Sequence, residues 1–173
     1  MDPRYPNGPF VFKPNPSASD REAYIASIER APAALRAAVK GLDDAQLDTP
    51  YRDGGWSSRQ VVHHVFDSHA NAFIRFRLAL TEDHPRITAY NEALWAEMPD
   101  TFDVPVEVSL DLLDGLHVRW VAFLKKLTEE QWVRTLDHPE NGSMSVDMLL
   151  QNYAWHGEHH TAHVMSLRNA KGW

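Results

Sequence analysis

The 173-residue sequence predicts an all-α fold, a four-helix bundle with one long crossover connection and an N-terminal proline-rich strap. Three observations predict it. Apolar residues recur at three- and four-residue intervals along four long stretches. Capping residues stand before most of those stretches. Period-two alternation, the mark of a half-buried strand, is almost absent. The length suits a single domain over 1–173, and no internal repeat or low-complexity segment divides it.

Pro3, Pro6, Pro9, Pro14 and Pro16 keep residues 1–18 out of helix, because each ring fixes φ and removes a backbone donor. Tyr5, Phe10, Val11 and Phe12 make this segment a strap packed on the body. A first helix is expected from Ser19, with Asp20 and Glu22 suiting its positive end. Its apolar period runs through Tyr24, Ile25, Ile28, Ala31, Leu35, Ala38 and Val39. Pro32 is expected to kink or split it, and Gly41 to end it.

The second helix is the best signalled. In "WSSRQV", Ser57 and Gln60 form a capping box, and Trp56 can staple to Val61. Val61, Val65, Ala72 and Phe76 carry its apolar stripe to about Leu80. Residues 81–108 contain Pro85, Pro99 and Pro105, with a short helical pattern from Asn91 to Glu97, and read as the long crossover. A third helix is expected from near Ser109, with Leu112, Leu113, Leu116, Trp120, Phe123, Leu124 and Leu127 on one side. Thr128 caps a short piece against Gln131. After the turn "HPENGSMS", Ser145 opens a last helix that runs to about Ala170.

Net charge is −7 with both signs interspersed, so no basic stripe suggests nucleic acid. No run approaches the roughly 18 apolar residues of a membrane helix. The N-terminus lacks the apolar core of a signal peptide, and a soluble cytoplasmic protein is expected. Cysteine is absent, which removes disulfides and thiolate ligands. Ten histidines are the unusual feature.

Four of them, His156, His159, His160 and His163, fall in "WHGEHHTAHV". His159 and His163 are four residues apart and share a helix face, a spacing that suits two imidazoles on one ion. The same stripe, Asn152, His156, His159, His163 and Leu167, lies where core residues are expected. A hydrogen-bonded structural pair is the competing reading. In "VVHHVFDSH", His64 lies beside the apolar stripe and points inward. His63 sits about 100° further round and His69 is off the stripe, which assigns both to the surface or to a supporting role. His64, His159 and His163 then make three nitrogen ligands, the count of an open catalytic site. Asp67 and Glu158 fall off the inward stripes and are weak candidates for a fourth. "DGGW" is a turn and not a phosphate loop, and Ser57, Ser109 and Ser145 are occupied as caps. Arg75, Arg77 and Arg119 could hold an anionic substrate, although solvated faces or ion pairs explain them as well.

The blocks "LDTPYRDGGWSSRQVVHHVFDSHANAFIRFRLALTED" and "YAWHGEHHTAHV", with "YPNGPF" and "LHVRW", closely resemble the DinB superfamily and its YfiT-like branch. The resemblance extends over almost the whole chain. It implies an up-up-down-down bundle with an open three-histidine metal site. The second histidine of "VVHHV" is His64, and the first and last of "HHTAH" are His159 and His163. It further implies zinc or nickel as the ion, a homodimer, and a small-molecule substrate. Members are described as metal-dependent hydrolases or as S-transferases using low-molecular-weight bacterial thiols such as bacillithiol or mycothiol.

Two enzymatic readings share that site. In a thiol transferase, the ion lowers the pKa of a cosubstrate sulfur. In a hydrolase, it lowers the pKa of a water, and His156 or His160 is the nearest candidate base. A structural metal, or a metal-binding stress protein without turnover, is the third reading.

Overall fold

The computed structural model describes residues 2–173. In chain order it contains α1 (Ala18–Val39), α2 (Asp44–Leu47), α3 (Ser58–Thr81), α4 (Glu92–Trp95), α5 (Pro99–Asp103), α6 (Val106–Leu124), α7 (Glu129–Trp132), β1 (Thr135–His138), β2 (Gly142–Ser145) and α8 (Val146–Lys171). The four long helices α1, α3, α6 and α8 form the bundle.

Ser57 and Gln60 close a capping box on α3, and Ser145 accepts from Met148 N at the start of α8, both where the sequence places them. α1 starts slightly earlier than expected, because Ser17 and Asp20 form its capping box. It also runs unbroken through Pro32. The proline has no N–H to give Ile28, four residues back, and that carbonyl instead accepts from His117 Nδ1 at 2.7 Å. α6 begins at Val106 and not near Ser109, since Pro105 suits the entry to a helix. The stretch expected as a turn before α8 is a small antiparallel hairpin, β1 against β2, pairing Thr135 with Ser145 and His138 with Gly142. Each strand has only four residues, too few for alternation to register, and Gly142 supplies the positive φ of 70°.

Helix α1 packs on α8 and α6, and α3 packs on α6 and α8. The apolar core is in two parts. One contains Ile28, Phe76, Trp120 and Leu149; the other contains Leu35, Val61, Leu113 and Val164. On α1 and α8 the chain passes from the first part to the second, and on α3 and α6 from the second to the first. So α1 and α8 run one way, and α3 and α6 the other. The order along the chain is up-down-down-up, which corrects the up-up-down-down order implied by the resemblance. Because α3 and α6 are parallel neighbours, residues 82–105 must return along the bundle, and this is the expected crossover.

Between the two apolar parts lies a polar layer. His64 and His69 on α3, His117 on α6 and His156, His159, His160 and His163 on α8 contribute to this layer. The strap lies along α8, with Gln151 bonded twice to the backbone of Lys13 and Trp155 Nε1 donating to Gly8 O at 3.0 Å. Of its expected span, Met1 lies outside the described residues. Among the described residues no helix is long and apolar enough to cross a membrane.

Candidate metal centre

α3 contributes His64 to the polar layer, and α8 contributes His156 and His160, one turn apart on the same face. One ring nitrogen from each lies within 4.8 Å of the other two. Burial pushes His64 down to about 4, with His159 adding to the effect. Burial holds His156 and His160 well below an ordinary imidazole, and their histidine neighbours deepen both shifts. The cluster is therefore three neutral bases, the protonation state in which imidazole binds metal. Nδ1 of His160 is buried with no hydrogen-bond partner. Buried polar atoms rarely stay unsatisfied, and an ion drawing on the lone pairs of this cluster would suit the donor set.

The expected ligands divide. His64 is in the cluster. His159 and His163 are turned toward the strap, where His159 Nδ1 meets Asn7 Oδ1 at 3.1 Å and His163 Nε2 donates to Arg4 O at 3.2 Å. Trp155 stacks on His159 at 4.3 Å between centroids, and Tyr51 on His163 at 4.0 Å. Of the weaker candidates, Glu158 accepts from Ser27 Oγ of α1 at 2.6 Å. Asp67 is raised to about 6, first by burial and then by Asp100 of α5. Neither carboxylate joins the cluster. His63 and His69, the two left to the surface or a support, are both buried, and His63 Nδ1 bonds Ser109 Oγ at 2.8 Å.

His69 leads to a feature that the sequence reading missed. His156 Nδ1 lies 3.1 Å from His69 Nε2, His69 Nδ1 lies 2.8 Å from His117 Nε2, and His117 Nδ1 reaches the freed Ile28 carbonyl. Proton positions follow by elimination. A carbonyl only accepts, so His117 Nδ1 carries a proton. Burial pushes His117 down to about 4, so the ring is neutral and its Nε2 accepts. His69, fully buried and likewise held neutral, donates from Nδ1 and accepts at Nε2. His156 must then donate from Nδ1, which leaves its Nε2 unprotonated. Backbone carbonyl and two imidazoles thus set the tautomer of a cluster histidine. The spacing Leu113, His117, Trp120 on the core face of α6 was the available signal.

The cluster forms one wall of a cavity of about 330 Å³, also lined by Trp56, Ser68, Arg75, Tyr90, His138 and His159. The walls come from α3 and the turn before it, the crossover, the hairpin and α8.

Comparison with known proteins gives this site its context. The DinB superfamily profile matches residues 27–164. The chain belongs to the DinB superfamily. The matched region includes His64, His69, His117, His156 and His160, and leaves the whole strap outside. Among relatives of this DinB-superfamily chain, a Bacillus cereus (strain B4264) protein named "Putative metal-dependent hydrolase" is 51% identical over 172 residues, 99% of each chain. The solved structure of YfiT from Bacillus subtilis, described as "a probable metal-dependent hydrolase with an unusual four-helix bundle topology", superposes with a TM-score of 0.97 at 42% identity, covering 100% of this chain and 99% of that one. A second solved four-helix bundle, TT2238, shares the fold at a TM-score of 0.51 and 23% identity, covering 88% of this chain and 99% of that one.

Proposed function

We propose that this chain is a metal-dependent thiol S-transferase in which His64, His156 and His160 hold one divalent ion, zinc or nickel. The observation that carries this reading is the meeting of three neutral imidazoles, His64 and His160 buried and His156 half-buried, at the wall of a cavity, with no carboxylate among them. Three protein ligands leave a position open to substrate. When bound, the ion supplies Lewis acidity that lowers the pKa of a thiol or water set against it. The protein has no cysteine, so the sulfur comes from a cosubstrate, a low-molecular-weight bacterial thiol such as bacillithiol. On α8 the proposed ligand pair is His156 and His160, while His159 and His163 anchor the strap.

The remaining residues orient and shield. The relay from Ile28 O holds His156 with Nε2 unprotonated. Trp56 packs its ring 4.6 Å from that of His64 and covers the cluster on one side. The cavity volume suits a small molecule. Exposed Leu94, Trp95, Met98 and Phe102 along the crossover offer an apolar face to a second copy, and we read the protein as a cytoplasmic homodimer.

Hydrolysis is the second reading, favoured by the names of the relatives. A base near the cluster would assist it. His159 lines the cavity, but burial pushes it down to about 4 and makes it a poor base at neutral pH. The test uses chelated protein reloaded with zinc or nickel. Metal-dependent conjugation of a small thiol to an aryl halide is expected; metal-dependent cleavage of an ester or amide panel without any thiol would replace the transferase reading.

A further inference from the structure

We propose that Arg75 is the anion-binding group of this cavity, and that the substrate carries a carboxylate at the end away from the histidine cluster. The inference rests on reading the cavity as a substrate site.

Among the described residues three arginines are buried: Arg21, Arg59 and Arg75, at 8%, 7% and 9% exposure. Two of them show what a buried guanidinium requires here. Arg21 makes paired bonds to Asp147 at 2.7 and 2.8 Å and a third to Glu129 at 2.7 Å. Arg59 bonds Asp48 at 2.6 Å and Asp44 at 2.8 Å. Arg75 has no such partner. Its contacts are Tyr153 Oη and Thr88 O, both at 3.5 Å, and the face of Tyr90 at 5.9 Å. The first two are at the outer limit of a hydrogen bond, and none carries a charge. Among the described residues no carboxylate lies within 4.0 Å of this guanidinium. Glu92 and Glu140 line the same cavity but are exposed. An unpaired buried charge is costly, so the missing anion comes from outside the chain.

Arg75 follows His64 by eleven residues, about three turns and roughly 16 Å along α3 on the same face. Its side chain leans back toward the helix start, into the cavity that the cluster also lines. His138 of β1 adds a second donor. Its Nδ1 accepts from Glu140 N at 3.2 Å and lies 3.4 Å from Asn141 Nδ2, so in the neutral ring the proton is on Nε2. One guanidinium and one neutral N–H match a monoanion. The planar fork fits a carboxylate in two parallel bonds, whereas a phosphate dianion would be left undercompensated.

The test measures binding of ω-mercaptoalkanoates of increasing chain length to metal-loaded protein by calorimetry, beside the uncharged ω-mercaptoalcohols of equal length. At the best length the carboxylate is expected to bind at least tenfold tighter. Arg75→Gln should erase that preference while keeping metal content and the affinity for the alcohol, and Arg75→Lys should keep part of it. Dicarboxylates without a thiol should show the same dependence on Arg75, which separates this proposal from the transferase reading. A preference unchanged in Arg75→Gln, or absent at every length in the wild type, would overturn it. So would tenfold tighter binding of the matching phosphate esters.

Discussion

His156 and His160 stand four residues apart, and so do His159 and His163. Spacing alone cannot choose between the two pairs, which point about 60° apart around the helix. Metal analysis after dialysis provides the choice. His64→Ala, His156→Ala and His160→Ala should each lose stoichiometric metal, whereas His159→Ala and His163→Ala should retain it. The relay makes a finer prediction. His117→Phe keeps a ring in the same space but strands the Ile28 carbonyl and the His69 Nδ1–H. Metal affinity should fall about 10–100-fold, and stability by about 1–3 kcal/mol. Titration calorimetry and denaturant melts read the two effects separately. Unchanged metal affinity in His117→Phe would reduce the relay to packing.

Among the elements, α1 and α8 approach tightly at Gly157. A Cβ there would meet the Cβ of Ala31 at 2.9 Å and Cε1 of His69 at 3.5 Å. The missing side chain lets the two helices close beside the histidine layer, one residue from His156. Gly157→Ala should therefore cost about 1–3 kcal/mol through overpacking, despite the better helix propensity of alanine, and a denaturant melt measures it. Pro32 acts at the same level of α1, since its absent N–H frees the carbonyl on which the relay ends. At the other end of the bundle Arg21 ties α1 to Asp147 in the first turn of α8, with both side chains about nine-tenths buried. Removing Asp147 leaves the buried Arg21 guanidinium with only the exposed Glu129 as an anionic partner. Asp147→Ala is expected to destabilise by about 3–5 kcal/mol, against less than about 1 kcal/mol for Asp114→Ala at the exposed pair with Arg36.

For the whole molecule, a layer of neutral histidines through the core makes stability depend on pH. His64 and His117 are pushed down to about 4, and His69, His156 and His160 lie well below their ordinary value of 6.5. Below pH 6.5 the unfolded chain takes up protons that the folded chain refuses. Stability is thus fully present above 6.5 and falls as pH drops from 6.5 toward 4, by up to about 3 kcal/mol each for His64 and His117. Thermal melts of the metal-free protein across that range should show the decline. Bound metal should raise the melting temperature at neutral pH and steepen the decline, because protons compete for the same nitrogens. A flat profile from pH 7 to 4.5 would contradict neutral burial of the layer.

The sequence by itself determined the helices and the character of the layer. Ser57 with Gln60, Ser145, and the three- and four-residue apolar spacing are local signals, complete within a turn or two, so α3 and α8 were legible nearly to their ends. The inward placement of His64 and of a histidine stripe on α8 was legible for the same reason. Tertiary structure decided what those signals leave free. The rotation of α8 about its axis, set by Gly157 against α1 and by the strap on the opposite flank, turned His156 and His160 toward His64 and gave His159 and His163 to Asn7 and Arg4. Helix direction was equally open, because an amphipathic stripe packs as well pointing up as down. Pro32, His117 and His69 came together only in space: they lie on three different helices, and a carbonyl freed on one acquires its meaning from an imidazole 89 residues away.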